Sequence, residues 1–173
     1  HKPFPDEMDY IFAGHGMIGN LNCGVVGIPQ ECELMDQLID YYDNLPDYPA
    51  WWRKNQRKKM DRLEDSTDTH AAKIYSVERT AFGPQAFTHF AKETGQFEKA
   101  MKPEVLYPVP FQLNDIFYDP HGRVEGWFTE NTLSVHLYTN GTKPYWRKNA
   151  PLENSYADRM CKQIGIDPSA ALE

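Results

Sequence analysis

Long apolar runs, paired cysteines and an excess of positive charge are all missing from this sequence of 173 residues. No apolar run approaches the roughly 20 residues that a helix needs to span a bilayer, and no basic segment leads into an apolar one as in a signal peptide. The three cysteines (Cys23, Cys32 and Cys161) include no C-x-x-C pair, so neither a zinc site nor a disulfide framework is predicted. We therefore expect a reducing, cytoplasmic setting.

The net charge and the composition exclude some classes of protein. A net charge of -7 argues against a nucleic-acid binder, because contact with phosphates needs a surplus of Lys and Arg. Hydrophobic residues make up 40% of the chain and aromatic residues 13%, which is typical of a globular protein and not of a disordered tail. We expect residues 1–173 to form a single domain or a fragment of one.

Hydrophobic patterning predicts strands that alternate with helices. Short apolar or β-branched segments predict strands at 9–13, 23–28, 105–107 and 133–138. Helical spacing of apolar residues, or basic and capping residues at the ends, predicts helices over 31–44, 53–63 and 155–164. Gly83-Pro84 predicts the start of another helix, since proline suits the first helical position. This order favours an α/β fold with a mixed sheet flanked by helices.

The segment 135–146 (VHLYTNGTKPYW) carries the clearest chemistry. It places the imidazole of His136 at the end of a predicted strand, and a neutral imidazole is a good ligand for Mn²⁺ or a similar ion. Gly141 then forms a turn that can offer backbone N–H groups to a phosphate, and Lys143 adds a positive charge. Together these residues predict a site for a metal and a diphosphate.

The same segment is similar to the His-x-x-Gly-x-x-Lys-Pro-Trp ending of glycogenin-like and lipopolysaccharide-galactosyltransferase-like retaining enzymes, although Gly141 lies five residues after His136. It also resembles the Val-His-Leu-Trp ending of the capsular-polysaccharide and yeast-mannosyltransferase-like family, whose members carry a D-x-D motif. Further segments resemble that second family in the same order: 2–4 with 9–12, 19–26 (GNLNCGVV), 80–84 (TAFGP) and 106–109 (LYPV).

The resemblance implies the C-terminal portion of a GT-A-type glycosyltransferase fold, lacking the N-terminal nucleotide-binding half. It implies a retaining enzyme that uses Mn²⁺ or Mg²⁺ to transfer a hexose from a nucleotide sugar to a saccharide or lipid-linked acceptor. In such families the D-x-D aspartates and a C-terminal histidine hold the metal. By this resemblance His136 would ligate the metal, Gly141 and Lys143 would contact the diphosphate, Asn22 would contact the donor sugar, and Gly83 would begin a helix near the substrate.

No D-x-D motif occurs in the 173 residues. We expect the aspartate pair to lie upstream of His1 in the intact protein, and we expect the fragment alone to be inactive because one histidine holds a metal weakly. The alternative is a non-catalytic sugar-binding or membrane-docking module with a degenerate donor site. A metal-dependent hydrolase is a third hypothesis, but it needs carboxylates and histidines clustered near His136, and the sequence shows none.

A concentration of aromatic and basic residues stands out on this acidic chain. Its members are Trp51, Trp52, Arg53, Lys54, Arg57, Lys58 and Lys59. One interpretation is a peripheral contact with an anionic membrane or a lipid-linked acceptor, and the alternative is a solvated basic helix face. The tryptophans could also stack on an acceptor sugar or pack in the core. Asn20 is a second candidate for sugar contact beside Asn22.

Overall fold

The computed structural model describes residues 4–5, 8–14, 19–138, 148–168 and 170. Its α-helices are α1 (Glu33–Asp43), α2 (Lys54–Asp61), α3 (His70–Val77), α4 (Ala86–Glu93), α5 (Pro103–Leu106) and α6 (Tyr156–Gln163). Shorter π or 3₁₀ segments occupy Ala81–Gln85, Phe97–Lys99, Phe111–Phe117 and Val124–Trp127. None of these described helices is long and apolar enough to cross a membrane.

The predicted α/β fold with a mixed sheet, and with it the GT-A-type architecture, is wrong for the described part of the chain, which is 44% helical and contains no strand. Segments 9–13 and 23–28 do meet, because Ile11 and Gly27 exchange two backbone hydrogen bonds of 2.7 Å. The pairing stays an isolated bridge. One reason is a local turn: the side-chain oxygen of Asn22 accepts a hydrogen bond from Gly24 N at 2.8 Å and so competes with a ladder.

The two later strand predictions are also wrong, for a different physical reason. Residues 105–107 begin inside α5, whose first position is Pro103, where a missing N–H costs nothing. Residues 133–138 form no strand. The backbone N–H groups of Leu133 and Ser134 both bond to the carbonyl of Val105, at 2.8 and 3.3 Å. The N–H groups of this segment therefore bond to a carbonyl of the short helix α5 and not to a neighbouring strand.

Three of the four helix predictions are confirmed. The helix predicted to start at Gly83-Pro84 is present, but α4 begins at Ala86 and Pro84 lies in the preceding π segment, so the predicted first position is wrong. Helix α1 matches the prediction over 31–44, and α2 lies within the prediction over 53–63. Helix α6 matches the prediction over 155–164 and is capped by Ser155, whose side chain accepts a hydrogen bond from Asp158 N. It ends before Gly165, which has a φ of +75°. Helix α3, capped by Thr69, is an element that the sequence pattern did not predict.

The contacts divide the chain into two compact units: an N-terminal unit, Pro5–Met101, and a C-terminal unit, Lys102–Glu173 together with His1–Phe4. The largest core of the N-terminal unit packs α1 and α4 around Phe12, Leu21 and Phe87. A core in the C-terminal unit is formed by Val109, Phe117, Val124 and Tyr156. That residues 1–173 are one domain, or a fragment lacking its N-terminal half, stays a prediction.

Candidate functional site

Two of the segments that carry the resemblance meet in the N-terminal unit, although about sixty residues separate them. The buried backbone N–H of Leu21 donates to the hydroxyl of Thr88 at 2.8 Å, and that hydroxyl donates to the carbonyl of Pro84. One hydroxyl thus ties the 19–26 segment to the start of α4. A groove of about 450 Å³ lies beside this junction, which we call the apolar groove; its lining includes Cys23, Leu38, Tyr42, Phe82, Gly83 and Phe87.

Gly83 lies on the wall of the apolar groove as a kink before α4. Its backbone angles (φ -134°, ψ -110°) are not helical, and its N–H donates to the carbonyl of Thr80 at 3.1 Å. The next residue is Pro84, which has no N–H. The hydroxyl of Tyr42 donates to the carbonyl of Phe82 at 2.8 Å, which fixes one ring of the wall. The role of Gly83 in substrate binding stays a prediction.

Asn22 lies half-buried at the other side of the junction, and its side-chain oxygen holds the local turn described above. Its contact with a donor sugar stays a prediction. The neighbouring Cys23 is exposed as a residue, yet the groove wall around its thiol raises the pKa to about 11 by burial. The thiol is therefore protonated at neutral pH and is a poor nucleophile.

His136 belongs to the C-terminal unit, where it sits half-buried between two tyrosine rings. The ring centroids of Tyr107 and Tyr138 lie 5.6 and 4.3 Å from that of the imidazole, both edge to face. Burial, and to a smaller extent the neighbouring Tyr107, raises the pKa of Tyr138 to about 12. The contact between Tyr107 and His136 joins two further segments of the resemblance, 106–109 and the described part (135–138) of 135–146.

The predicted metal and diphosphate site extends beyond the described residues. Gly141 and Lys143 both lie outside them, in the stretch 139–147. Among the residues that the structure describes, no group of three or more His, Cys, Asp or Glu side chains could hold a metal ion. Metal binding by His136 therefore stays a prediction, and it requires ligands other than those described.

The sequence analysis missed a second opening in the N-terminal unit, a cleft of about 570 Å³ between α2 and one face of α4. We call it the cationic cleft. Its lining includes Asn20, Trp51, Arg53, Asn55, Gln56, Lys59, Glu78, Gln85, His89 and Lys92. The basic residues were recognised in the sequence as a group on α2, but Lys92 and His89 lie more than thirty residues further along the chain.

The predicted docking cluster is divided by the fold. Trp52 is 3% exposed and packs with Met60 and Ile74 in the core. Trp51 is half-buried and lines the cationic cleft, where its ring lies 4.8 Å from that of His89. The basic side chains of α2 stay exposed. Because Trp52 is buried and Trp51 half-buried, most of the apolar surface of this cluster is not available to a membrane. A membrane contact through the cluster would therefore depend mainly on its positive charges.

The positive charges of the cationic cleft have few partners. Arg53, Lys59 and Lys92 form no ion pair with any described residue, and Lys92 instead lies 4.8 Å over the ring of Phe97. The lining carboxylate, Glu78, accepts hydrogen bonds from the hydroxyl and the backbone N–H of Thr80 at 2.6 and 3.2 Å. The cleft therefore concentrates positive charge on an acidic chain.

Comparison with known proteins identifies no relative from which a role for these sites could be taken. No protein-family model matches the chain. No curated protein and no solved structure matches it either. The resemblance to glycosyltransferases therefore stays a prediction from the short segments quoted above.

Proposed function

We propose that this chain is part of a glycosyltransferase that moves a hexose from a nucleotide sugar to a saccharide or lipid-linked acceptor. One observation carries the proposal: segments that resemble the same family, far apart in sequence, come together in pairs. The hydrogen bond from Leu21 N to Thr88 joins the first pair, and the ring contact between Tyr107 and His136 joins the second. The first pair lies in the N-terminal unit and the second in the C-terminal unit, and such contacts are expected if the two segments of each pair act together.

The apolar groove offers surfaces suited to a sugar. The rings of Tyr42 and Phe82 lie 6.3 Å apart on its wall, tilted by 32°, and Tyr42 is 45% exposed. The C–H face of a hexose packs against aromatic rings, while nearby polar groups fix its hydroxyls. Asn22, next to the lining residue Cys23 in sequence, is the polar group that the resemblance would assign to the donor sugar.

The resemblance implies Mn²⁺ or Mg²⁺, but the described residues do not by themselves fit a metal site. They supply His136 without a neighbouring carboxylate cluster. Further ligands would have to come from outside the described residues, and a bound metal would supply positive charge beside a diphosphate. The contribution assigned to the described residues is binding and orientation of the sugar.

The test uses the full-length protein, supplied with UDP- and GDP-hexoses, Mn²⁺ and a panel of saccharide acceptors. We expect release of nucleoside diphosphate that depends on the acceptor. Replacing Tyr42 by Leu should lower kcat/KM by roughly three- to tenfold, the effect of losing one favourable ring contact. Tyr42→Phe should keep most of the activity because it preserves the ring.

Tyr75→Leu provides the matched control, since Tyr75 is an exposed tyrosine on α3 that does not line the groove. Equal kcat/KM for Tyr42→Leu and Tyr75→Leu would remove the groove from the sugar site. Saturable saccharide binding without metal, together with no transfer from any donor, would contradict the transferase and support a non-catalytic sugar-binding module.

A further inference from the structure

The cationic cleft differs from the apolar groove in position and chemistry, and the two share no lining residue. Three cations line it: Arg53 at the N-cap of α2, Lys59 in the last turn of α2, and Lys92 in the last turn of α4. None is neutralised by an ion pair with a described residue. Gathering like charges in a concave surface raises the local concentration of anions. A chain with a net charge of -7 would spread these cations among its carboxylates if they served solubility alone.

The amides of the cleft point to the same kind of ligand. The side-chain oxygen of Gln85 accepts from the indole N–H of Trp51 at 2.9 Å. That of Gln56 accepts from Arg53 N, and that of Asn55 accepts from Gln56 N, both at 3.0 Å. Each of these oxygens already accepts one hydrogen bond and keeps one further lone pair, and the NH₂ group of each of the three amides is a donor available to a ligand.

Cations and NH₂ donors together make a surface that is rich in donors. Its matching ligand is rich in acceptors, such as a phosphate or a carboxylate with hydroxyl groups around it. The indole of Trp51 adds an apolar face beside these donors, and sugar rings pack on such faces. The volume of about 570 Å³ is larger than an inorganic anion needs and falls within the range of small-molecule sites.

We propose that the cationic cleft binds a saccharide that carries a phosphate or carboxylate group. Arg53, Lys59 and Lys92 bind the anionic group, the amide NH₂ groups of Gln56 and Gln85 bind hydroxyls, and Trp51 packs against the sugar ring. This site is independent of the transferase proposed above, because it requires neither a nucleotide nor a metal.

Helix α2 supplies its own control. Lys58 and Lys59 are adjacent and both exposed, but only Lys59 lines the cleft. A ligand held by the cleft distinguishes the two lysines, whereas general attraction to a basic helix does not. Because both side chains are on the surface, their replacement by Ala is expected to leave the fold intact, which circular dichroism verifies.

The experiment is isothermal titration of the 173-residue chain, without metal or nucleotide, with a hexose 1-phosphate, a hexuronate, the neutral hexose and inorganic phosphate. We expect saturable binding of the hexose 1-phosphate or the hexuronate, and the tighter of the two identifies the anionic group. Lys59→Ala and Lys92→Ala should each weaken binding about tenfold, as for loss of one charge-assisted hydrogen bond, while Lys58→Ala should leave it unchanged.

Each other outcome overturns the proposal. Equal affinity for inorganic phosphate and the hexose 1-phosphate would reduce the site to an anion site without a sugar. Equal weakening by Lys58→Ala and Lys59→Ala would show attraction to α2 as a whole. No binding of either anionic sugar would exclude the site, whatever activity the intact enzyme has, so failure here and failure of the transferase are distinguishable.

Discussion

The two compact units build their cores in different ways. In the N-terminal unit, helices supply the core at regular spacing: Leu34, Leu38 and Tyr41 lie on one face of α1 and pack with Phe87 of α4. In the C-terminal unit, Phe117 and Val124 come from 3₁₀ segments, and the described chain between α5 and α6 contains no α-helix. Both units contain fully buried core residues. Many of those in the N-terminal unit lie on α-helices, whereas several of those in the C-terminal unit lie on short 3₁₀ segments.

The C-terminal unit instead depends on hydrogen bonds from side chains to the backbone. The hydroxyl of Thr132 donates to the carbonyl of Glu104, and that of Ser134 donates to the carbonyl of Leu106, both at 2.9 Å. These bonds satisfy carbonyls of a helix that is too short to satisfy them itself. Regularly spaced apolar residues on helices therefore account for much of the packing in the N-terminal unit, whereas hydrogen bonds from side chains to the backbone hold irregular segments in place in the C-terminal unit.

The largest expected effect on stability comes from removing one large buried side chain from each core. Phe12 and Phe117 are both fully buried, so Phe12→Ala and Phe117→Ala should each lower the free energy of unfolding by about 3–5 kcal/mol. We expect Phe117→Ala to fall at the lower end, because irregular segments can close around a cavity more easily than packed helices. Urea unfolding followed by far-UV circular dichroism measures both, with Tyr75→Ala, 52% exposed, as control. A larger loss at Phe117 would reverse the comparison.

An intermediate effect should follow from loss of the buried hydrogen bond between Leu21 and Thr88 in the N-terminal unit. Thr88→Val leaves the buried N–H of Leu21 without its acceptor, which should cost about 1–3 kcal/mol. Thr94 makes the same kind of bond to a helix carbonyl, 2.8 Å to Phe90 O, but ties no second segment, so Thr94→Val should cost clearly less. Hydrogen exchange of the Leu21 amide should rise in the first variant alone. Equal losses in the two variants would refute a special role for Thr88.

The smallest effect concerns acid and the C-terminal unit. Asp158 accepts hydrogen bonds from Lys162 Nζ at 2.9 Å and from Asn154 N at 2.8 Å, and these bonds lower its pKa from the ordinary 3.8. Because the pKa of Asp158 is lower in the folded than in the unfolded state, its ionised form stabilises the folded protein above about pH 4. This stabilisation is lost as the pH falls through the pKa of Asp158 in the folded state. The free energy of unfolding of Asp158→Asn, measured by urea titration at a series of pH values, should therefore fall less in acid than that of the unmodified protein. An unchanged pH profile in that variant would show that other groups cause it.

Apolar spacing and capping residues predicted α1, α2 and α6, whereas α3 was missed and part of α5 was predicted as a strand. The spacing of Leu34, Leu38 and Tyr41 specifies α1, and Ser155 with Gly165 specifies the ends of α6. The β-branched residues of 133–138 favour a strand, but a strand needs a partner, and the partner of this segment is the end of a helix.

The candidate sites show the same limit. Asn22 and Gly83 were both singled out from the sequence and their segments meet at one junction, but the junction itself was not predicted and the contacts of both residues with substrate stay predictions. The cationic cleft was missed because its charges come from two helices, and because the amide oxygens accept hydrogen bonds from groups that the sequence does not reveal. Trp51 and Trp52 are neighbours in sequence, yet one lines the cleft and the other lies in the core.

The position of Trp51, whose ring lies 4.8 Å from that of His89, has a photophysical consequence. The emission of an indole depends on its immediate surroundings, and Trp51 lines the cationic cleft. A molecule seated in the cleft should therefore change the fluorescence of Trp51. Trp52 is buried in the core, and neither Trp52 nor Trp127 lines the cleft, so their emission should change less and Trp51 serves as an optical probe where the ligand is proposed to bind.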